Sequence, residues 1–159
     1  MPIHVVLYQP EIPPNTGNIA RTCVATNTSL HLIHPLGFDI DTKTARRAGM
    51  DYWEHTVVHH YDSLEELFAK YSKATFHLIE TGGNKVHTDI DYSDVNADIF
   101  FVFGNESSGL PKDLLAENVD KILTIPMSDK VRSLNLSNTA AILIYEALRQ
   151  QNYAGILNI

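Results

Sequence analysis

The sequence predicts an α/β fold with a mainly parallel sheet flanked by helices. Three observations carry this. Short apolar, β-branched runs alternate with helix-like stretches along the chain. The run Ile3–Tyr8 (IHVVLY) is followed by a polar, proline-rich turn and then a helical pattern. The run Ile99–Phe103 (IFFVF) is apolar throughout, as expected of a central strand covered on both faces. No linker, low-complexity tract or internal repeat interrupts residues 1–159, which read as one domain.

Taken in order, Ile3–Tyr8 is the first strand. A helix follows over 15–27, with Ile19, Cys23 and Thr26 on one face and Asn15 as its cap. Residues 30–34 form a second strand stopped by Pro35. Residues 42–49 read as a short basic helix ending at Gly49, and 57–60 as a weak strand. An acidic amphipathic helix spans 63–71, with Leu64, Leu67 and Phe68 inward. The strand 75–80 leads to a turn at Gly82, Gly83 and Asn84. After Ile99–Phe103, Pro111 opens a helix over 111–117, and 122–125 is a strand ended by Pro126. The longest helix, 135–150, carries Leu136, Ala140, Leu143, Ile144, Ala147 and Leu148, more apolar surface than one sheet face needs.

Composition narrows the function. No apolar run approaches the roughly 20 residues of a membrane span, and Met1-Pro2-Ile3-His4 has no signal-peptide profile. The single cysteine, Cys23, excludes an internal disulfide and a multi-cysteine zinc site; on an apolar helix face it reads as core. The eight histidines have no metal-ligand spacing, and His59 and His60 point to opposite faces of a strand. A cytoplasmic protein with no membrane and no metal partner is the expectation. Net charge is −7, which argues against a nucleic-acid partner if the acid is spread evenly. It is not: residues 51–98 carry −7, residues 1–50 carry +1 and residues 99–159 carry −1. Both ends can therefore present basic patches.

Three polar stretches stand out. Residues 10–21, PEIPPNTGNIAR, form a stiff loop running into a helix on which Asn18 and Arg21 share a face. Residues 104–111, GNESSGLP, follow the apolar strand, where α/β sheets collect ligands. Leu110 and Pro111 stand where a phosphate-binding loop needs Lys and Ser or Thr, so that reading fails, and no GxGxxG occurs. The carboxylate of Glu106 inside this loop has to be solvated or bonded. In residues 122–145, Ser133, Asn135, Ser137 and Asn138 crowd the opening of the last helix, more small polar groups than capping requires.

Together, in this order, N-x-G-N-x-x-R, FVFGNESSGLP and IPM…RSLNLSN…A…YEA resemble the SPOUT superfamily of methyltransferases. More specifically the chain looks like the small single-domain tRNA 2′-O-methyltransferases of the TrmL group, over essentially its whole length. The resemblance implies a C-terminal deep trefoil knot, a homodimer, and S-adenosylmethionine bound by loops 78–82, 103–109 and 125–133, with Leu78, Gly104, Ile125 and Ser133 as contacts. It implies methylation of the wobble ribose, cytidine or uridine, in the tRNA anticodon stem-loop. Arg21 matches the arginine that assists loss of the 2′-hydroxyl proton, as base or as stabilising cation, and Asn15 and Glu106 orient it or the ribose. Arg132, Lys43, Arg46, Arg47 and Tyr145 become RNA contacts. Ser108 stands where some relatives have Arg. The alternatives are ribose methylation of another RNA, such as ribosomal RNA, and a non-catalytic RNA-binding module.

Overall fold

The computed structural model describes residues 3–40 and 52–156. Among the described residues seven strands are β1 (Ile3–Tyr8), β2 (Ser29–Ile33), β3 (Val58–Tyr61), β4 (Thr75–Ile79), β5 (Lys85–Val86), β6 (Ile99–Phe103) and β7 (Ile122–Thr124). They form one sheet in the order β3-β2-β1-β6-β4-β7-β5, and every pairing is parallel. Helices α1 (Pro13–Thr26), α2 (Leu64–Lys70), α3 (Lys112–Glu117) and α4 (Leu136–Gln150) cover its two faces.

The apolar run of β6 lies at the sheet centre, between β1 and β4. Its odd residues, Phe101 and Phe103, join Val5 and Leu7 of β1 under α1 and α4. Its even residues, Phe100 and Val102, join Val6 and Leu78 under α2 and α3. Period-two alternation thus feeds two cores from one strand. Cys23 is buried in the first of these cores, which pushes its thiol up to about 12.

Helix α1 begins earlier than expected, and Asn15 is not its cap. The N-cap is Ile12, followed by prolines at the first helical positions. Proline has the right φ and no N–H to satisfy, so the first two helical positions leave no orphan donor. The helix ends at Asn27 in the left-handed conformation, φ 53°. Helix α4 does use a cap: Asn135 Oδ1 accepts the N–H groups of Ser137 and Asn138 at 2.9 and 3.4 Å. The basic stretch 42–49, with Lys43, Arg46 and Arg47, lies outside the described residues.

β5 was not expected, being two residues long. It changes the topology, because β7 lies between β4 and β5 although only residues 80–84 join those two. The link crosses directly over β7: a Cβ on Gly83 would stand 2.9 Å from Ile122 Cγ2 and 3.6 Å from Thr124 Cβ.

The histidines near the amino edge of the sheet are structural. His4 Nε2 donates to Asp98 Oδ1 at 3.0 Å, His31 Nε2 donates to His4 Nδ1 at 3.0 Å, and the Tyr61 hydroxyl donates to His31 Nδ1 at 3.2 Å. This single tautomer set satisfies every contact with both rings neutral. Burial lowers His4, and burial followed by the neighbouring His4 lowers His31 to about 3. His59 stacks on His31, while His60 turns to the other face and meets His34 at 2.8 Å. His77 is lowered to about 4, chiefly by burial.

Unfolded histidine titrates near 6.5, so below that pH the unfolded chain takes up protons that His31 and His77 refuse when folded. Their stabilising contribution is complete above about pH 6.5 and is lost as pH falls towards 3–4, reaching about 2 kcal/mol for each near pH 5. Urea midpoints measured at pH 7.5, 6.0 and 5.0 should fall in that order, and His31→Gln should flatten the decline.

Candidate active site

The carboxyl ends of β4, β6 and β7 open onto a cavity of about 320 Å³. Glu80 and Thr81 line it after β4, Gly104, Asn105, Glu106 and Gly109 after β6, and Ile125, Met127, Ser133 and Asn135 after β7. Ile12 and Asn15 close it from the start of α1, and Thr139 from the first turn of α4. Ligands collect in α/β sheets at this edge, where loops rather than sheet hydrogen bonds claim the backbone groups.

One hydrogen-bond network binds the three polar stretches. Glu106 Oε2 accepts the Glu11 N–H at 2.9 Å, and Oε1 accepts the Ile12 N–H at 3.1 Å and Asn15 Nδ2 at 3.3 Å. Asn15 Oδ1 in turn accepts Asn135 Nδ2 at 3.1 Å. Glu106 therefore does for α1 what Ile12 cannot: it supplies the missing acceptor, and its charge sits at the positive end of the helix. Glu11 reciprocates, taking the Ser107 N–H at 3.2 Å and its hydroxyl at 2.6 Å. The loop is closed internally by Asn105, whose Oδ1 accepts the Ser108 N–H and hydroxyl, both at 2.8 Å. Ser108 is thus a loop-closing residue. Gly104 permits the closure, since a Cβ there would lie 2.2 Å from the Gly109 carbonyl carbon.

Of the anticipated contacts, Asn15, Glu106, Gly104, Ile125 and Ser133 line the cavity. Leu78 does not. It is buried with Phe100, Val102 and Leu110 on the opposite face of β4; Ile79, on the alternate face, reaches the cavity instead, and Glu80 reaches it from just beyond the end of the strand. Glu80 and Thr139 were not singled out from sequence. Glu80 directly follows the last strand residue, and Thr139 lies one turn beyond Asn135, donating its hydroxyl to the Asn135 carbonyl at 3.1 Å.

Arg21 lies away from the cavity wall. It is exposed on α1, its guanidinium carbon 5.0 Å above the Tyr52 ring. On the same side of α1 are Pro14, Asn18 and Ala25, also exposed. Helix α4, packed beside α1, presents a matching stripe of Asn138, Ile142, Tyr145 and Arg149, with Ile142 37% and Tyr145 45% exposed. Arg132 is exposed on the loop before α4.

A parallel sheet with a small-molecule cavity at its carboxyl edge, walled by three loops and the start of a helix, defines an α/β ligand-binding or transferase domain. The chain belongs to the SpoU rRNA methylase family, whose profile matches residues 2–145. A Bacillus subtilis protein provisionally named tRNA (cytidine(34)-2′-O)-methyltransferase is 66% identical, over 95% of this chain and 94% of its own length. A structure described as giving insights into the 2-OH methylation of C/U34 on tRNA superposes with a TM-score of 0.84 at 39% identity, covering 94% of this chain and 96% of that one. An S-adenosylmethionine-bound rRNA methyltransferase from Sinorhizobium meliloti superposes with a TM-score of 0.78 at 25% identity, covering 92% and 56%.

Replacing Glu106 by Ala leaves two backbone N–H groups and the Asn15 amide without their charged acceptor. Hydrogen bonds to charged groups contribute about 1.5–3 kcal/mol when sheltered, and these are half-exposed. Glu106→Ala should therefore cost about 1–2 kcal/mol and lower the melting temperature by roughly 2–8 °C, with Glu106→Gln intermediate; a thermal melt followed by circular dichroism checks this.

Proposed function

We propose that the chain methylates the 2′-hydroxyl of the wobble ribose of tRNA, cytidine or uridine, with S-adenosylmethionine as donor, in the cytoplasm and as a homodimer. The observation that supports this most is the convergence of three loops and Asn15 on one cavity, joined by the Glu106–Asn15–Asn135 network. Its 320 Å³ falls within the usual range for small-ligand sites, roughly 300–1,000 Å³. Apolar Ile79, Phe103, Ile125 and Leu136 interleave with polar Asn105, Ser133 and Thr139 in its wall, a mixture suited to an adenine, a ribose and a thioether-like chain.

Bound there, S-adenosylmethionine supplies an electrophilic methyl group. The wall residues Gly104, Ile125 and Ser133 hold the donor, and backbone groups following Leu78 complete the cradle. Asn15 and Glu106 act as positioning residues, because their polar atoms are committed to one another and to the start of α1. Alignment is their contribution, since displacement at a methyl group depends on geometry. On attack the 2′-hydroxyl oxygen would bond the methyl carbon as the carbon–sulfur bond breaks, the neutral thioether would leave and the hydroxyl proton would pass to solvent water, while the guanidinium of Arg21 would steady the developing alkoxide. Arginine is almost never deprotonated in proteins, which favours this role over that of a base.

Within one chain Arg21 does not reach the cavity wall, so a second copy completes the reaction centre. The stripes on α1 and α4 are the surface it covers, with Ile142 as an apolar anchor. Arg132, Lys43, Arg46, Arg47 and Tyr145 are the proposed RNA contacts, away from the acidic stretch 51–98. The C-terminal part is proposed to be threaded as a deep trefoil knot. Its support is the placement of β7 between β4 and β5, beneath the 80–84 link.

Purified protein should transfer labelled methyl from S-adenosylmethionine to unmodified tRNA, and nucleoside mapping should place the label on ribose 34. Label found only in ribosomal RNA would move the assignment to that substrate. Arg21→Ala should lower turnover by about 100-fold or more while donor binding and the melting temperature stay unchanged. Sedimentation at micromolar concentration should show a dimer.

A further inference from the structure

We infer that Glu80 is the charge-selecting residue of the cavity: its carboxylate favours the cationic methyl donor over the neutral thioether left after transfer. The inference rests on the cavity being the donor site.

Two carboxylates, Glu80 and Glu106, line the cavity, and among the described residues its wall contains no Lys, Arg or His. The two acids are not equivalent. Glu106 is engaged by three N–H donors. Among the described residues Glu80 receives only the Leu110 N–H, at 3.4 Å, which leaves most of its acceptor capacity uncommitted in a residue that lines the cavity. Its backbone is fixed independently, because the Glu80 N–H donates to the Leu123 carbonyl at 3.1 Å and extends the β4–β7 pairing by one residue. The carboxylate therefore projects from a rigid strand end rather than from a mobile loop.

The donor carries a sulfonium, an ammonium and a carboxylate, net one positive charge at neutral pH. The demethylated product keeps the ammonium and the carboxylate and is neutral. The two molecules share adenine, ribose and amino-acid moiety, so hydrogen bonds to those parts hold both alike. A single methyl group distinguishes them only weakly by shape. A fixed negative charge in a partly desolvated pocket distinguishes them by Coulomb interaction, and the transfer step itself abolishes that attraction. Glu80 thus draws the donor in and does not retain the product.

Isothermal titration of the full chain with S-adenosylmethionine and, separately, S-adenosylhomocysteine tests this. Glu80→Gln keeps an acceptor for the Leu110 N–H and removes the charge. It should weaken donor binding about tenfold and change product binding less than twofold, so that the donor-to-product preference collapses. Glu80→Asp, which keeps the charge, should retain the preference. Equal weakening of both ligands by Glu80→Gln would overturn the inference, since it is the mark of a contact to ribose or of a structural role. No change in either would overturn it too. A wild-type chain that binds neither ligand would instead overturn the donor-site reading, and this inference with it. If Glu80→Gln does not fold, Glu80→Thr removes the same charge and is judged by the same ratio.

Discussion

A carboxylate partly withdrawn from bulk water stays favourable where donors replace the solvent it has lost, and half-buried Glu106 finds its donors on a segment 95 residues earlier in the chain. The N–H of Ile12 is an unavoidable by-product of starting a helix, and that of Glu11 stands just before it, so the bargain is mutual. The loop after β6 needs cations or donors, and the start of α1 needs an acceptor. Asn15 extends the arrangement to Asn135 and hence to the start of α4. Three stretches far apart in sequence are fixed against each other by groups that would otherwise be left unpaired, and the cavity is the space between them.

Much of this was legible. The alternation of apolar runs placed six of the seven strands, and the uniformly apolar IFFVF indicated the sheet centre, because only a strand covered on both faces tolerates such a run. The crowd of polar residues in the three stretches marked the cavity wall. What escaped did so for physical reasons. β5 is two residues long, too short for any periodicity to show. Asn15 reads as a cap because capping is the commonest local use of that residue, and the competing partner is remote in sequence. Leu78 and Glu80 are two positions apart, and which of them meets the cavity depends on where the strand stops. No local pattern carries that information to one residue.

The pairing of α1 and α4 divides labour between their faces. The inward faces carry Ile19, Ala20, Leu143 and Ile144 into the core, and the helix starts carry Asn15 and Asn135 to the cavity. The outward faces carry Asn18, Arg21, Ile142 and Tyr145. Anything that settles on the outward stripes is registered, through two rigid helices, against the cavity at their ends. A separation of about 9 Å along the axis between Asn15 and Arg21, six residues at 1.5 Å each, sets the scale of that coupling.

Residues 80–84 act as a strap laid across β7. Two strand spacings are about 10 Å, and the strap must also rise over a strand and descend again. Six Cα steps reach at most about 20 Å, so little slack remains. Losing a residue from this segment would pull β4 and β5 towards a strand that already fills the space between them. Side-chain identity at Glu80 or Thr81 is under no such restraint. Descendants of this chain are therefore free to retune the polarity of the pocket by substitution, while the length of the segment is inherited.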